Sequence, residues 1–233
     1  VRKLSEKTGV NIVLGSGWYR ETYYEPSLWR KKTDEIAEDI YKELTQGIEG
    51  TDVRAGIIGE VGSHFTWISP VEERVLRAAA RAQKRSGVLL TTHATRGPVG
   101  LDQLEILEQE GVDLRRVSIG HCHSYPHLEY SAEIARRGAF ICFDRMGSLL
   151  NANDYERQKL LRLVGEVLDA GLVDHLLFSH DICYQSDLKA YGGCGYEFIP
   201  TRLLGILGEL GVTEEQFHQI MVENPRRALT GRG

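Results

Sequence analysis

The stretch "AGIIGEVG", residues 55–62, decides how this chain is read. Its apolar part is too short for a stable helix and rich in β-branched residues, so it reads as a buried parallel strand. The one charged residue, Glu60, stands at the C-terminal end. A carboxylate there is either a solvated strand end or a group matched by a cation, because burying it alone is costly. An amphipathic segment follows, "VEERVLRAAARAQKRSG" (71–87), and then a second apolar run, "GVLLTTHA" (87–94), which carries His93 near its end. Strand, helix and strand in succession form the unit from which parallel sheets are built.

The unit recurs outward in both directions. Further apolar runs lie at 10–17 ("VNIVLGSG"), 116–123 ("RVSIGHCH"), 139–145 ("AFICFDR") and 175–181 ("HLLFSHD"). Between them "GLDQLEILEQEG", "LEYSAEIARRG" and "YERQKLLRLVGEVLDAG" have helical spacing of apolar residues, and each ends at glycine, the residue best suited to a left-handed helix stop. No linker or composition shift divides the chain, so residues 1–233 are read as one domain. An open doubly wound sheet and a closed (β/α)8 barrel both accept this pattern. The first favours a Gly-rich phosphate turn after an early strand, and "GSGWYR" lacks the Gly-x-Gly-x-x-Gly spacing. The barrel expects functional residues at the C-terminal ends of several strands, and Glu60, His93, His121, Arg145 and Asp181 all fall at or just after the end of a run. The α/β barrel is therefore the favoured fold, with six strands counted where eight are needed.

Composition narrows the function. A net charge of -5 with scattered lysines and arginines provides no field for nucleic acid or an anionic membrane, and neither is expected as a partner. No apolar run approaches a membrane span, and no signal segment opens the chain. The four cysteines, at 122, 142, 183 and 194, form no Cys-x-x-Cys pair and suit a reducing cytoplasm. The chain opens at Val1 inside a helical pattern, "VRKLSEKTG", so its start is expected to lie upstream.

Glu60, His93, His121 and Asp181 offer two imidazoles and two carboxylates from four strand ends, a donor set suited to zinc and similar divalent ions. A single buried histidine is more often a hydrogen-bonded core residue. Four such groups converging on one cavity are harder to explain that way, since the carboxylates would repel each other without a cation. On the residues alone the two readings stand level. His123 shares a face with His121 and is a candidate substrate contact. His180 should point toward the helices, opposite to Asp181. His64, His127, His175 and His218 suit solvated or capping roles. Ser63, Ser124 and Ser179 lack a nucleophile elbow, and no cysteine has an activating context.

Taken in order, "GVNIVLGSGWY", "AGIIGEVG", "TTHA", "GVDLRRVSIGHC", "FDRMG", "SHD", "LKAYGGCGYEF" and "ENPRRAL" resemble the phosphotriesterase-related proteins of the amidohydrolase superfamily, over the whole length of the chain. The resemblance implies a (β/α)8 TIM barrel of the metal-dependent hydrolase type, with the six runs as its third to eighth strands and the first two missing. It implies that His93 and His121 ligate one metal, that Glu60 bridges two, and that Asp181 binds the second and handles protons. Many relatives carry a carbamylated lysine at the bridge; here Glu60 would bridge directly. The family's His-x-His pair on the first strand has no counterpart at residues 1–9, which implies a piece of a longer protein.

By the same likeness, the activity is hydrolysis of an ester, lactone or phosphoester bond by a metal-bound hydroxide. Zinc is the first choice of metal, and manganese or cobalt accept the same ligands. Tyr19, Arg145 and Tyr196 would contact substrate, lactones and carboxylic esters ahead of organophosphates, and a homodimer fits the family. The alternative is a non-catalytic metal- or ligand-binding barrel without the first-strand histidines.

Overall fold

The structure, a computed structural model, describes residues 1–150 and 153–231. Six strands form one sheet: β1 (Gly15–Ser16), β2 (Ile57–Gly62), β3 (Leu89–His93), β4 (Val117–Gly120), β5 (Phe140–Phe143) and β6 (Leu176–Phe178). All neighbours are parallel, and their spatial order is their chain order. A doubly wound sheet reverses its strand order at a switch point. This one never does, as expected of consecutive βα units in a TIM barrel.

The connecting helices form where the apolar spacing placed them: α3 (Pro70–Ser86), α4 (Val99–Gln109), α5 (Leu128–Arg136) and α6 (Asp154–Asp169), with α1 (Arg2–Thr8) before the sheet and α2 (Thr33–Thr45) ahead of β2. α3 shows why the local signals suffice. Ser69 caps it by accepting from the Glu72 N–H, Pro70 takes the first position, and Gly87 ends it in the left-handed conformation with φ 70. Short helices α7 (Leu204–Gly208), α8 (Glu214–His218) and α9 (Asn224–Thr230) close the chain. No helix among the described residues is long and apolar enough to cross a membrane.

Strand alternation divides the apolar residues into two sets. Ile58, Leu90, Ile119, Ile141 and Phe178 belong to the large core between the sheet and its helices. Leu89, Phe140 and Ala228 form a smaller, separate cluster with Ile57 and Leu177 packed against it. Ile119 is fully buried, and Gly100 at the start of α4 leaves the space that its side chain and the Tyr130 hydroxyl occupy. Ile119→Ala should therefore destabilise the fold by about 2–5 kcal/mol, measured by urea unfolding.

The run at 10–17 pairs only at its end. Gly56 and Ile57 donate to the Leu14 carbonyl, and ladder pairing is confined to Gly15 and Ser16. Val10, Ile12 and Val13 are exposed. Among the described residues β1 has a neighbour on one side only, so this apolar stretch has no second strand to bury it.

Candidate metal centre

Glu60 owes its position to an irregularity in β2. The register with β3 shifts between Ile58 and Val61, and at such a bulge the strand bends and re-aims a side chain. Gly59 adopts φ 132, which glycine alone accepts readily, and a β-carbon there would strike Thr91. The strand then runs on to Gly62, two residues beyond the carboxylate. Gly120 at the end of β4 completes the space, since a β-carbon on it would press into the Thr92 carbonyl and come within 3.3 Å of Glu60 Oε1.

Into this space come two imidazoles. His93 ends β3, and its Nδ1 lies 3.3 Å from Glu60 Oε2. His121 follows β4 directly at φ 57, and its Nε2 lies 3.2 Å from Glu60 Oε1. The two rings meet edge to face with centroids 4.3 Å apart. Both histidines are buried. Asp144, just past β5, holds His121 from behind: its Oδ1 is 2.6 Å from His121 Nδ1, and its Oδ2 accepts from the His121 backbone N–H at 2.7 Å. This pair fixes the imidazole so that Nε2 faces the carboxylate.

The electrostatics call for a positive charge between the three groups. Burial alone would favour neutral forms, yet the two histidines hold the Glu60 carboxyl down at about 2. Burial likewise opposes the His121 imidazolium, and Asp144 with Glu60 outweighs it, raising the pKa to about 10. His93 Nδ1 is a buried nitrogen with no hydrogen-bond partner. One ligand atom from each of Glu60, His93 and His121 lies within 4.8 Å of the others. Two imidazole nitrogens and a carboxylate oxygen converging with an orphaned nitrogen among them fit a divalent cation, and three protein ligands are the usual number at an open zinc site. A metal must displace the His121 proton, whose pKa is about 10, so zinc affinity should rise about tenfold per pH unit between pH 6 and 8. Competition with a chelator at several pH values measures this. Asp144→Asn keeps the shape and removes the charge behind His121, and should weaken metal binding by about 10- to 100-fold in the same assay.

A second acidic cluster, Glu21, His64 and Glu72, has its needs met internally. Glu72 is fully buried and accepts from the backbone N–H groups of Ser69, His64 and Glu21, with His64 Nδ1 at 2.8 Å. It ties the β2–α3 connection to the segment after β1.

A cavity of about 780 Å³ opens above the centre at the C-terminal ends of the strands. Glu60, His93, His121, Asp181, Tyr19, Arg145 and His123 all line it. Asp181 stands outside the tight trio, with its Oδ2 3.5 Å from Arg145 Nη1, and burial raises its pKa. The Tyr19 hydroxyl lies 3.1 Å from His93 Nε2. Tyr196 is exposed, with its ring 6.4 Å from His180, and the loop after β6 reaches the cavity through Cys183 and Tyr184. His180 turns to the helix side, where its Nε2 accepts from the Ile199 N–H. Sequence reasoning passed over Asp144 and Gln103, whose amide donates to Ser63 Oγ and the His93 carbonyl. Asp144 had a readable signal: alternation along β5 sends Phe143 toward the helices and its neighbour toward the cavity. Gln103 had none, since it lies on a helix.

The model of the phosphotriesterase family matches residues 1–229. The phosphotriesterase homology protein of Escherichia coli is 34% identical over 219 residues, 94% of this chain and 74% of that protein. Its crystal structure, with phosphate in the active site, superposes with a TM-score of 0.92 at 32% identity, covering 98% of this chain and 78% of the other. The N-acetyltaurine hydrolase of Danio rerio is 30% identical over 245 residues, 99% of this chain and 68% of that protein. A lactonase from Listeria monocytogenes superposes with a TM-score of 0.87 at 26% identity, covering all of this chain (100%) and 77% of the other.

Proposed function

The chain belongs to the phosphotriesterase family, and from that premise we propose that it is a metal-dependent hydrolase of an ester bond, in a lactone or carboxylic ester first and a phosphotriester second. The observation that carries the reading is the convergence of Glu60, His93 and His121 beneath a cavity wide enough for a small molecule. These three would hold the ion, with zinc favoured and manganese or cobalt chemically acceptable. A divalent ion there would lower the pKa of a water and polarise the substrate's carbonyl or phosphoryl oxygen.

The remaining steps fall to side chains. Asp181 faces the cavity with a carboxyl whose pKa burial has raised, a state suited to taking a proton from the attacking water and returning it to the leaving group. Arg145 keeps that carboxylate in place from 3.5 Å. If His93 presents Nδ1 to the ion, its Nε2 carries the proton and donates to the Tyr19 oxygen, which leaves the Tyr19 O–H free to donate to a substrate oxygen. Tyr19→Phe should therefore reduce kcat/KM by about tenfold, the value of one neutral hydrogen bond, with metal content unchanged.

The test is a panel of γ- and δ-lactones, aryl esters and a phosphotriester, assayed with the protein loaded with zinc or manganese. Turnover of a lactone or ester supports the reading. Tight metal binding with no turnover of any substrate would favour the non-catalytic barrel.

A further inference from the structure

Three cationic side chains line the cavity, Arg96, Arg145 and Lys159, together with the carboxylates Glu60, Glu156 and Asp181. Glu60 is matched by the two histidines, and Arg145 faces Asp181. Lys159 and Glu156 stand on α6, one turn apart. Arg96 is different. Among the described residues it has no carboxylate within ion-pair distance, whereas Arg77, Arg81, Arg85, Arg136 and Arg137 on the outer helices are each paired.

Arg96 is nonetheless held in place. It follows the ligand-bearing strand β3 by three residues and adopts φ 63, a left-handed conformation that costs a non-glycine residue free energy. Its backbone N–H donates to Ser124 Oγ at 2.7 Å, and Thr95 Oγ1 lies 3.2 Å from the same oxygen. Ser124 itself follows His121 by three residues, so one hydroxyl joins the two loops that carry the histidines. The guanidinium lies over the Phe65 ring, 5.4 Å from its centroid, and Arg20 lies over the same ring at 4.6 Å. A planar, permanently charged donor fork thus lines the reaction cavity, solvent-exposed and lying over the neighbouring Phe65 ring, with no side-chain hydrogen bond to another described residue.

We propose that Arg96 is a specificity-determining residue that receives an anionic group of the substrate, so that the physiological substrate carries an oxyanion, a carboxylate, sulfonate or phosphate, at the end remote from the bond that is cleaved. The proposal rests on the hydrolase reading above and adds the substrate class.

The test compares a matched pair of esters, para-nitrophenyl hemiglutarate with a free carboxylate and para-nitrophenyl valerate without one, on the zinc-loaded wild type, Arg96→Ala and Arg96→Lys. The wild type should prefer the anionic ester. Arg96→Ala should reduce the ratio of kcat/KM values, anionic over neutral, by about 10- to 100-fold, chiefly through KM, and Arg96→Lys should restore part of it. An unchanged ratio in Arg96→Ala, or no preference in the wild type, overturns the proposal. Calorimetric titration of glutarate against the same proteins provides a readout independent of turnover. Weaker binding by Arg96→Ala supports anion recognition even where neither ester is cleaved, a result that would count against the hydrolase reading alone. Equal affinity in wild type and variant overturns anion recognition whatever the turnover.

Discussion

His121→Ala is expected to abolish hydrolysis and to reduce the metal retained after dialysis, read by elemental analysis. The imidazole supplies one of three converging donors, with its Nε2 3.2 Å from Glu60 Oε1 and its Nδ1 2.6 Å from Asp144. Removing it leaves two ligands and two carboxylates facing an empty space, so like charges repel where an opposite charge had balanced them. Lewis-acid catalysis contributes several kcal/mol of transition-state stabilisation, which corresponds to a loss on the order of 10³-fold in kcat/KM. His93→Ala should behave the same way. Unchanged metal content in either variant would remove that residue from the ligand set. The fold should survive, because both rings line the cavity at strand ends and not the large core between sheet and helices.

Asp181→Asn separates the proton-handling role from metal binding. The side chain lines the cavity but lies outside the Glu60, His93 and His121 cluster, so amidation should leave most of the metal in place while lowering kcat by about 10²- to 10⁴-fold. Its pH profile carries the sharper signature. Burial raises the Asp181 pKa, and a base must be deprotonated to act, so wild-type activity should fall on the acid side as this carboxyl takes up a proton. The residual activity of Asp181→Asn should lack that acid limb. A variant that loses metal and activity in parallel would instead make Asp181 a ligand whose removal disassembles the centre. Arg145→Ala, which withdraws the cation 3.5 Å from the same carboxylate, should shift the acid limb upward in pH, because the charged form loses its partner.

The two readings of Glu60 as solvated or as matched by a cation part company only in three dimensions. A strand of alternating residues places Glu60 on one face, but the register shift after Ile58 and the φ of 132 at Gly59 set the carboxylate between the two histidines. Neither is visible in the residue types, since a glycine within a strand is compatible with a bulge, a bend or a close approach. Tyr196 shows the opposite limit. The family likeness implies that Tyr196 contacts substrate, whereas the chain after β6 delivers Cys183 and Tyr184 to the cavity and Tyr196 stands exposed beside His180. In a loop without strand or helix periodicity, side-chain direction follows from local turns that residue type does not specify.

By itself the sequence determined the parallel architecture, because apolar runs and amphipathic segments alternate along the chain and local periodicity is a property of neighbouring residues. It also determined that chemistry-bearing residues stand at strand ends, from Glu60 to Asp181. Tertiary structure alone decided which of them meet. Glu60, His93 and His121 come together, although 60 residues separate the first from the last, because three adjacent strands end at one level, while Asp144 joins them from a fourth through its hydrogen bond to His121. It alone placed Arg96 over Phe65 with no carboxylate partner among the described residues. Distances between side chains distant in sequence depend on how the strands pack and bend, and that is the information a linear pattern does not contain.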